Sequence, residues 1–222
     1  GYKGSYINSR VTNGKRLFYD KTKPFTKTVK YYNQFKVTNK ITIPKAYILK
    51  QGWWKVIERL NENNIAYSVL KNDTLITVEE QHIVDYKTKT STYEGHYPHY
   101  NTVISTSTKK VDFNKGDIYI PINQFGARYI METLEAAATD SFFNWNYFDS
   151  ILQQKEGYSA YVFEDIAEEF LAQNPSVKIA FEEKLKTDEN FANNHRMQLN
   201  FIYKSSSHYE KAHLRLPVFK IY

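Results

Sequence analysis

The sequence predicts an α/β or α+β fold, with a mixed sheet, a strand–helix–strand unit, a β-ribbon and a helix-rich C-terminal half. Three observations predict it. Apolar and β-branched residues alternate along residues 74–86 and recur in residues 102–113, as in paired strands. Apolar residues instead recur every three or four positions in residues 53–60 and 127–138, as on one face of a helix. Helical spacing then dominates the chain beyond residue 140.

The composition and charge of residues 1–40 predict a basic extended arm. Lys15–Tyr19 and Thr26–Val37 are rich in β-branched and aromatic residues, with Pro24 between them, and Asn13-Gly14 is a turn signal. Residues 1–50 hold twelve Lys and Arg but one acid, whereas residues 116–222 hold fifteen acids and ten bases. A basic arm binds either nucleic acid or an acidic protein surface. The lysines form no dense block, so we expect a protein partner and no nucleic acid.

Residues 41–222 predict a single α/β domain, whose first unit is a strand, a helix and a second strand. Lys45–Leu49 is a short apolar strand, and a helix with one apolar face follows it. Asn63-Asn64 ends this helix, because Asn tolerates the left-handed conformation at a helix C-terminus. Ile65–Leu70 is the next strand. Two strands joined by a helix predict a parallel crossover.

The remaining elements follow in order. Residues 74–86 and 102–113 predict an antiparallel ribbon, and the connection between them, Lys87–His99, is long for a compact domain. A strand at Asp117–Ile122 precedes a second amphipathic helix. Asp140 offers an N-cap to a further helix in an aromatic run. Apolar stripes then predict helices as far as Tyr203, one of them opening at Asn174-Pro175, and Leu214–Tyr222 ends the chain as a strand or extended tail.

Several classes of protein are excluded by what the chain lacks. It has no cysteine, so no disulfide and no Cys-based metal site or nucleophile exists. No segment of about 18 apolar residues is present, so we expect no membrane span. The first residues carry no apolar signal-peptide core, and we expect any export signal to lie outside this chain. No Gly-x-Ser-x-Gly, Walker or Gly-x-Gly-x-x-Gly motif occurs.

The loop from Tyr93 to Tyr100 is the best local site candidate, because long ordered loops often carry function. His96 and His99 are separated by two residues, so both imidazoles could reach one metal, with Glu94 as a third ligand. The alternative is a Tyr- and His-rich loop packed by its own side chains or by a partner. We favour this alternative, because no fourth ligand is evident. We expect no metal and no catalytic residue in this chain.

Two residues outside the loop are further binding candidates. Trp54 falls off the apolar stripe of its helix, so it either packs on a neighbouring element or anchors a surface contact. Arg128 follows Gly126 at a strand-to-helix turn, and such a helix N-terminus can hold an anion. Together with Tyr93, Glu94, His96 and His99, these residues make up the candidate binding set.

One long string resembles a known family. It runs from Asp117-Ile-Tyr-Ile-Pro-Ile-Asn-Gln-Phe-Gly through Asp140-Ser-Phe-Phe-Asn-Trp-Asn-Tyr-Phe-Asp and Gln153-Gln-Lys-Glu-Gly to Tyr161-Val-Phe-Glu-Asp165. It is similar to the region C-terminal to the catalytic domain in large bacterial zinc carboxypeptidases of the carboxypeptidase A type. Weaker similarity covers residues 44–60, 93–99, 199–203 and 213–217.

The resemblance implies a non-catalytic part of a secreted peptidase. That family's zinc chemistry needs His-x-x-Glu, and none of the six His here has Glu three residues later. Zinc is therefore expected in the parent's missing catalytic domain, and no cofactor in this chain. The implied location is periplasmic or extracellular, and the implied activity of the parent is proteolysis.

The expected function is an accessory domain that packs on or flanks the parent's own catalytic domain. The alternative is a module that binds peptide or cell-wall glycan through exposed aromatics. An independent enzyme using residues 93–100 is the third hypothesis. Exposed coplanar rings beside a groove favour the binding module, and a bound metal favours the enzyme.

Overall fold

The computed structural model describes residues 1–37 and 40–222, and the chain divides into two compact units, Gly1–Thr42 and Ile43–Tyr222. Residues 38 and 39 of the expected arm lie outside the described residues. The α/β or α+β class is confirmed, because helices and strands both make up large parts of the chain. Within the described part, no helix combines the length and the apolar character that crossing a bilayer demands.

The first unit begins with a β-hairpin, and residues 25–37 after it have no regular structure. Strands β1 (Tyr2–Asn8) and β2 (Lys15–Pro24) pair antiparallel. The turn between them includes the predicted Asn13-Gly14, and Ser9 N donates to Gly14 O at 2.8 Å. Residues 25–37 form no strand, although Thr26–Val37 has strand composition. Composition alone supplies no pairing partner, and a strand needs one for its backbone groups.

The second unit holds all remaining elements. Its first half consists of β3 (Ala46–Leu49), α1 (Trp54–Glu62), β4 (Ser68–Val69), β5 (Thr74–Thr88), β6 (His99–Phe113), β7 (Ile118–Pro121) and α2 (Ala127–Leu134). Its second half consists of a 3-10 helix (Asp149–Leu152), α3 (Ala160–Gln173), α4 (Pro175–Thr187), α5 (Glu189–Ala192), α6 (His195–Ser205) and β8 (Val218–Ile221).

Six strands form one sheet in the order β4-β7-β3-β8-β5-β6. Every pair found in the described residues is antiparallel. The predicted ribbon is confirmed as β5 and β6. The strands flanking α1 run in the same direction, as the sequence predicts, but they are not neighbours. Both pair with β7, which lies between them. Local periodicity predicts a strand but not which distant strand it pairs with, so the position of β7 between β3 and β4 could not be predicted.

The main core lies between one sheet face and helices α1 and α2. Tyr47 and Leu49 of β3 point into it, and the predicted helical stripes supply Val56, Leu60, Ile130 and Leu134. A smaller cluster lies on the opposite face, around Ile48, Val78, Phe113 and Phe219. The two clusters follow from strand geometry, because successive side chains point to opposite faces.

A buried ionic network ties the sheet to the end of α2. Tyr47 donates its hydroxyl proton to Glu135 Oε1 at 2.7 Å, and Lys220 Nζ donates to Glu135 Oε2 at 3.2 Å. Lys220 also lies 2.7 Å from Glu79 Oε1. Burial disfavours the charged ammonium, but the hydrogen bond to Glu79 and the charge of Glu135 outweigh it and raise the pKa of Lys220. Buried charges are tolerated when they are paired in this way.

Residues 140–148 form turns, so the expected helix with Asp140 as its N-cap is wrong. Ser141 closes the turn instead, because its hydroxyl donates to Ala136 O at 2.9 Å and accepts from Asn144 N at 3.1 Å. The turns place Phe142, Phe143 and Phe148 together in the main core. A helix with 3.6 residues per turn would point these three side chains in widely different directions.

Helices α3 to α6 have an apolar cluster of their own, built on Phe163, Ala167, Leu199, Ile202 and Tyr203. Ile166 and Phe170 of the predicted stripe pack against this cluster, whereas Val162 is exposed and Phe163 is buried in its place. Asn174 and Pro175 open α4 as predicted, and Phe181 of α4 packs edge-on against Phe191.

Candidate binding surface

The Tyr93–Tyr100 loop begins with a two-residue hairpin. Tyr93 N donates to His96 O at 2.8 Å, and His96 N donates to Tyr93 O at 2.9 Å. The residues between them, Glu94 and Gly95, have φ of 49° and 78°. Two successive positive φ values are those of a type I′ turn, whose twist matches that of the flanking strands. The loop is therefore an ordered extension of the β5–β6 ribbon.

His99 anchors the other end of the loop. Its ring is 6% exposed, and it accepts a hydrogen bond from the Thr88 hydroxyl at Nδ1, 2.9 Å away. Nε2 donates to Asp149 Oδ1 at 3.0 Å. Phe143 and Tyr86 pack against the ring, with centroids 5.0 and 4.8 Å away. Two hydrogen bonds and two ring contacts fix the imidazole in one orientation.

Two asparagines bind the loop to the aromatic segment 142–149. His99 N donates to Asn144 O at 2.8 Å, and the Thr102 hydroxyl donates to Asn144 Oδ1 at 2.7 Å. Asn146 adopts φ of 66°, a conformation that Asn tolerates better than most residues. Its amide donates to Tyr97 O at 3.0 Å and to Asp149 Oδ2 at 3.2 Å. The loop and the segment thus form one structural piece.

Five rings of this piece are exposed or half-buried, and we call them the aromatic surface: Tyr93, His96, Tyr97, Trp145 and Tyr147. Tyr93 and Tyr97 are 62% and 52% exposed. His96 stacks on Tyr147 with an interplanar angle of 18° and meets Trp145 edge-on. Tyr93 meets Trp145 at 45°. The rings therefore form a faceted surface rather than one plane.

The site has no arrangement suited to holding a metal. Both ring nitrogens of His99 have protein partners, so His99 offers no free lone pair for an ion shared with His96. Glu94 lies at the tip of the hairpin with a positive φ. In the described part of the chain no group of three or more His, Asp or Glu is placed to hold a metal ion.

Thr88, His99 and Asp149 form a hydroxyl–imidazole–carboxylate chain, an order of groups that also serves nucleophilic catalysis. Here Thr88 and His99 are directly opposite each other in the ribbon, so their contact is a cross-strand pair. The carboxylate of Asp149 is 46% exposed. These three hydrogen-bonded groups orient the buried ring of His99 and hold the loop in place.

Two cavities lie away from the aromatic surface. One of about 700 Å³ lies between residues 154–160 and the start of α6, with Tyr158, His195 and Leu199 in its wall. The other, of about 470 Å³, is lined by Lys109 and Arg215 among others. Neither of these two cavities has any of the five rings in its wall.

Trp54 and Arg128, the two candidates outside the loop, are not part of this surface. Trp54 is 62% exposed, with Lys55 Nζ 5.6 Å from its ring, whereas the preceding Trp53 packs on Phe148 at 5.0 Å. Arg128 lies near Glu132, with 3.4 Å between Nε and Oε1. A Cβ on Gly126 would meet Ile65 at 2.2 Å, so this glycine serves close packing.

The sequence pattern indicates Tyr93, Glu94, His96 and His99 but not the polar residues that hold the loop: Thr88, Asn144, Asn146 and Asp149. A signal for three of them exists in Asn144-Trp-Asn-Tyr-Phe-Asp149, where polar residues alternate with aromatic ones. Amides inside an aromatic run need hydrogen-bond partners once the run is buried. That requirement predicts a nearby loop, but it does not say which loop.

Comparisons with known proteins found no match to this chain among family models, curated proteins or solved structures. The similarity to zinc carboxypeptidases stays an expectation carried by the quoted strings.

Proposed function

We propose that this chain is a non-catalytic accessory domain of a secreted bacterial zinc carboxypeptidase-like protein, and that its aromatic surface contacts the catalytic domain. Zinc belongs to that catalytic domain in this proposal. The resemblance along residues 117–165 supports the family, and its most aromatic part, residues 142–149, carries three of the polar groups that hold the loop. The corresponding location is periplasmic or extracellular.

The observation that carries the proposal is the contrast between rigid support and exposed rings. Thr88, Asn146 and Asp149 fix the loop from beneath, while Tyr93 and Tyr97 keep about half of their surface open. Large rings held at a surface bury much area on binding and lose little conformational freedom. Interfaces between proteins are enriched in such residues.

A peptide- or glycan-binding module is the second candidate, and the parallel rings of His96 and Tyr147 favour it. A sugar ring would stack on such a pair. Tyr93 and Trp145 are tilted, however, and neither described cavity adjoins them. A flat partner protein suits a faceted, open surface better than a short oligosaccharide does, since small ligands bind in concave sites.

The test is titration calorimetry of the full chain with the peptidase domain encoded in the same parent gene. Tyr93→Ser together with Tyr97→Ser should weaken binding at least tenfold, because truncating anchor rings at an interface costs more than about 1 kcal/mol each. The matched control replaces two exposed rings elsewhere, Phe125→Ser and Tyr161→Ser, which should leave the affinity unchanged.

Absence of binding to the peptidase domain would overturn the proposal. Equal losses in the test and control variants would overturn the assignment of the surface. Binding of peptidoglycan fragments or peptides that depends on Tyr93 and Tyr97, without binding to the peptidase domain, would establish the second candidate instead.

A further inference from the structure

The cavity of about 470 Å³ is unusually basic. Its wall includes Lys50, His82, Lys109, Lys110, Lys211 and Arg215, which come from the end of β3, from β5, from β6 and from the segment before β8. Its volume lies within the range of ligand sites. We call it the basic cavity. The groups are far apart in the sequence, and residues 51–115 have equal numbers of acids and bases. No local run of charged residues therefore indicates the basic cavity.

Two of the cations are already neutralised. Lys109 Nζ lies 2.5 Å from Oε1 of Glu80, a carboxylate that is almost fully buried. Lys50 Nζ lies 3.2 Å from Asp117 Oδ2 and donates to the carbonyl of Asp112 at 2.7 Å. These pairs hold the floor of the cavity together. Glu80 is also the partner of Ser107, whose hydroxyl donates to it at 3.2 Å.

Three cations remain without a carboxylate partner among the described residues: Lys110, Lys211 and Arg215. Asp112 in the same wall forms no ion pair there either, so the cavity and its pairs set five cations against three carboxylates. His82 responds to this excess, because burial together with Lys109 and Arg215 lowers its pKa against the opposing effect of Glu80. The field in the cavity therefore attracts anions.

The cavity adjoins an open strand edge. In the described part of the chain β6 is the last strand of the sheet and pairs only with β5, and four of its successive residues, 109–112, line the cavity. Outer backbone groups of an edge strand can pair with an added extended chain. Such a chain would pass the cavity wall at residues 109–112, and its acidic side chains would reach Lys211 and Arg215 only across the cavity, because Arg215 bridges His82 on the other side of β5.

From these observations we infer that the basic cavity and the adjoining edge of β6 bind an extended acidic polypeptide segment. Several carboxylates on one chain can pair with cations on separate elements, which a single phosphate group cannot. Single-stranded nucleic acid is the rival polyanion, but its binding relies on exposed rings that stack with bases. The rings beneath this cavity, Phe113 and Phe219, are fully buried.

The test measures binding of a fluorescent eight-residue Glu/Thr peptide to the full chain by anisotropy. The uncharged Gln/Thr peptide and a single-stranded oligonucleotide are the comparison probes. Lys110→Gln, Lys211→Gln and Arg215→Gln combined should weaken binding of the Glu/Thr peptide roughly tenfold, as expected for three partly exposed ion pairs. The matched control is Lys71→Gln, Lys178→Gln and Lys186→Gln, which changes the net charge equally and should retain the affinity.

Hydrogen exchange on the unmodified chain gives an answer that does not depend on how the variants fold. The Glu/Thr peptide should slow exchange in residues 109–112. The inference is overturned if the Glu/Thr peptide fails to bind or binds no better than the Gln/Thr peptide. It is equally overturned if the control variant loses as much affinity, if exchange in β6 is unchanged, or if the oligonucleotide binds more tightly.

Discussion

The conformation of single residues decides how the candidate loop presents its rings. Glu94 and Gly95 turn the chain with positive φ, and Asn146 does the same within the aromatic segment. The Asn146 amide donates a hydrogen bond to the carbonyl of Tyr97, the residue that follows the first turn. The aromatic surface therefore depends on backbone positions that few residue types accept.

Replacing Gly95 by Ala should destabilise the chain by about 1–2 kcal/mol, because an L-residue with a side chain is disfavoured at positive φ. Space is not the cause, since nothing lies within 4 Å of the position that the added Cβ would occupy. Urea unfolding measures the loss. Gly52→Ala is the matched control, because Gly52 has equal space and no positive φ. Equal effects of the two substitutions would contradict the type I′ turn.

Acidification should lower the free energy of unfolding in two steps. Each step comes from the protonation of one group in the wall of the basic cavity, first His82 and then Glu80. The pKa of His82 is lowered from 6.5 by burial, so the unfolded state takes up the proton first and stability falls as pH drops below 6.5. Burial raises the pKa of Glu80, but the hydrogen bond from Lys109 outweighs it, and the net pKa lies below 4.5. Its stabilisation is present above pH 4.5 and is lost as pH falls through the lowered value.

The measurement is urea unfolding between pH 8 and pH 3, with His82→Gln as the comparison. The variant should lose the step that begins below pH 6.5 and keep the lower one. A profile in which the variant retains the upper step would mean that another group controls it.

At the scale of elements, most helices and strands were predictable because each repeats its own period. The stripe of α1 and the alternation of β5 and β6 are local signals, and both are confirmed. The neighbours within the sheet were not predictable, since β7 and β8 enter it from distant parts of the chain. The turns at residues 140–148 were missed because Ser141 and Asn144 bind backbone groups, a competition with helix formation that periodicity does not reveal.

Leu60→Ala or Leu134→Ala should each cost about 2–5 kcal/mol, the usual loss for a leucine removed from a packed core. Both side chains are fully buried in the cluster between the sheet and the helices α1 and α2. Urea melts give the difference. Leu75→Ala, at an exposed position of β5, is the control and should cost far less. Losses below about 0.5 kcal/mol in both core variants would contradict this packing.

At the scale of the whole molecule, the sequence located the candidate loop but not what holds it. Tyr93 to His99 drew attention through composition, whereas the partners of His99 lie about 11 and 50 residues away. The basic cavity could not be predicted from the sequence for the same reason, because its five cations belong to three separate segments. Sites assembled from distant residues need the fold before they can be recognised.

The chain by itself should bind no stoichiometric zinc and hydrolyse no peptide. It has no His-x-x-Glu, and His99 has both ring nitrogens engaged. The test is elemental analysis after dialysis against zinc and then against zinc-free buffer. His96→Ala serves as the comparison. One tightly held zinc per chain that is lost in this variant would restore the metal hypothesis for the loop.

The central claim is that the chain serves a peptidase domain as its accessory partner. Hydrogen exchange of the full chain, with and without the peptidase domain of the parent protein, tests it most directly. We expect slower exchange in residues 93–100, which carry part of the aromatic surface, and in residues 1–37, which are rich in Lys and Arg. Unchanged exchange in both regions, together with tight binding of the chain to glycan or DNA, would contradict it.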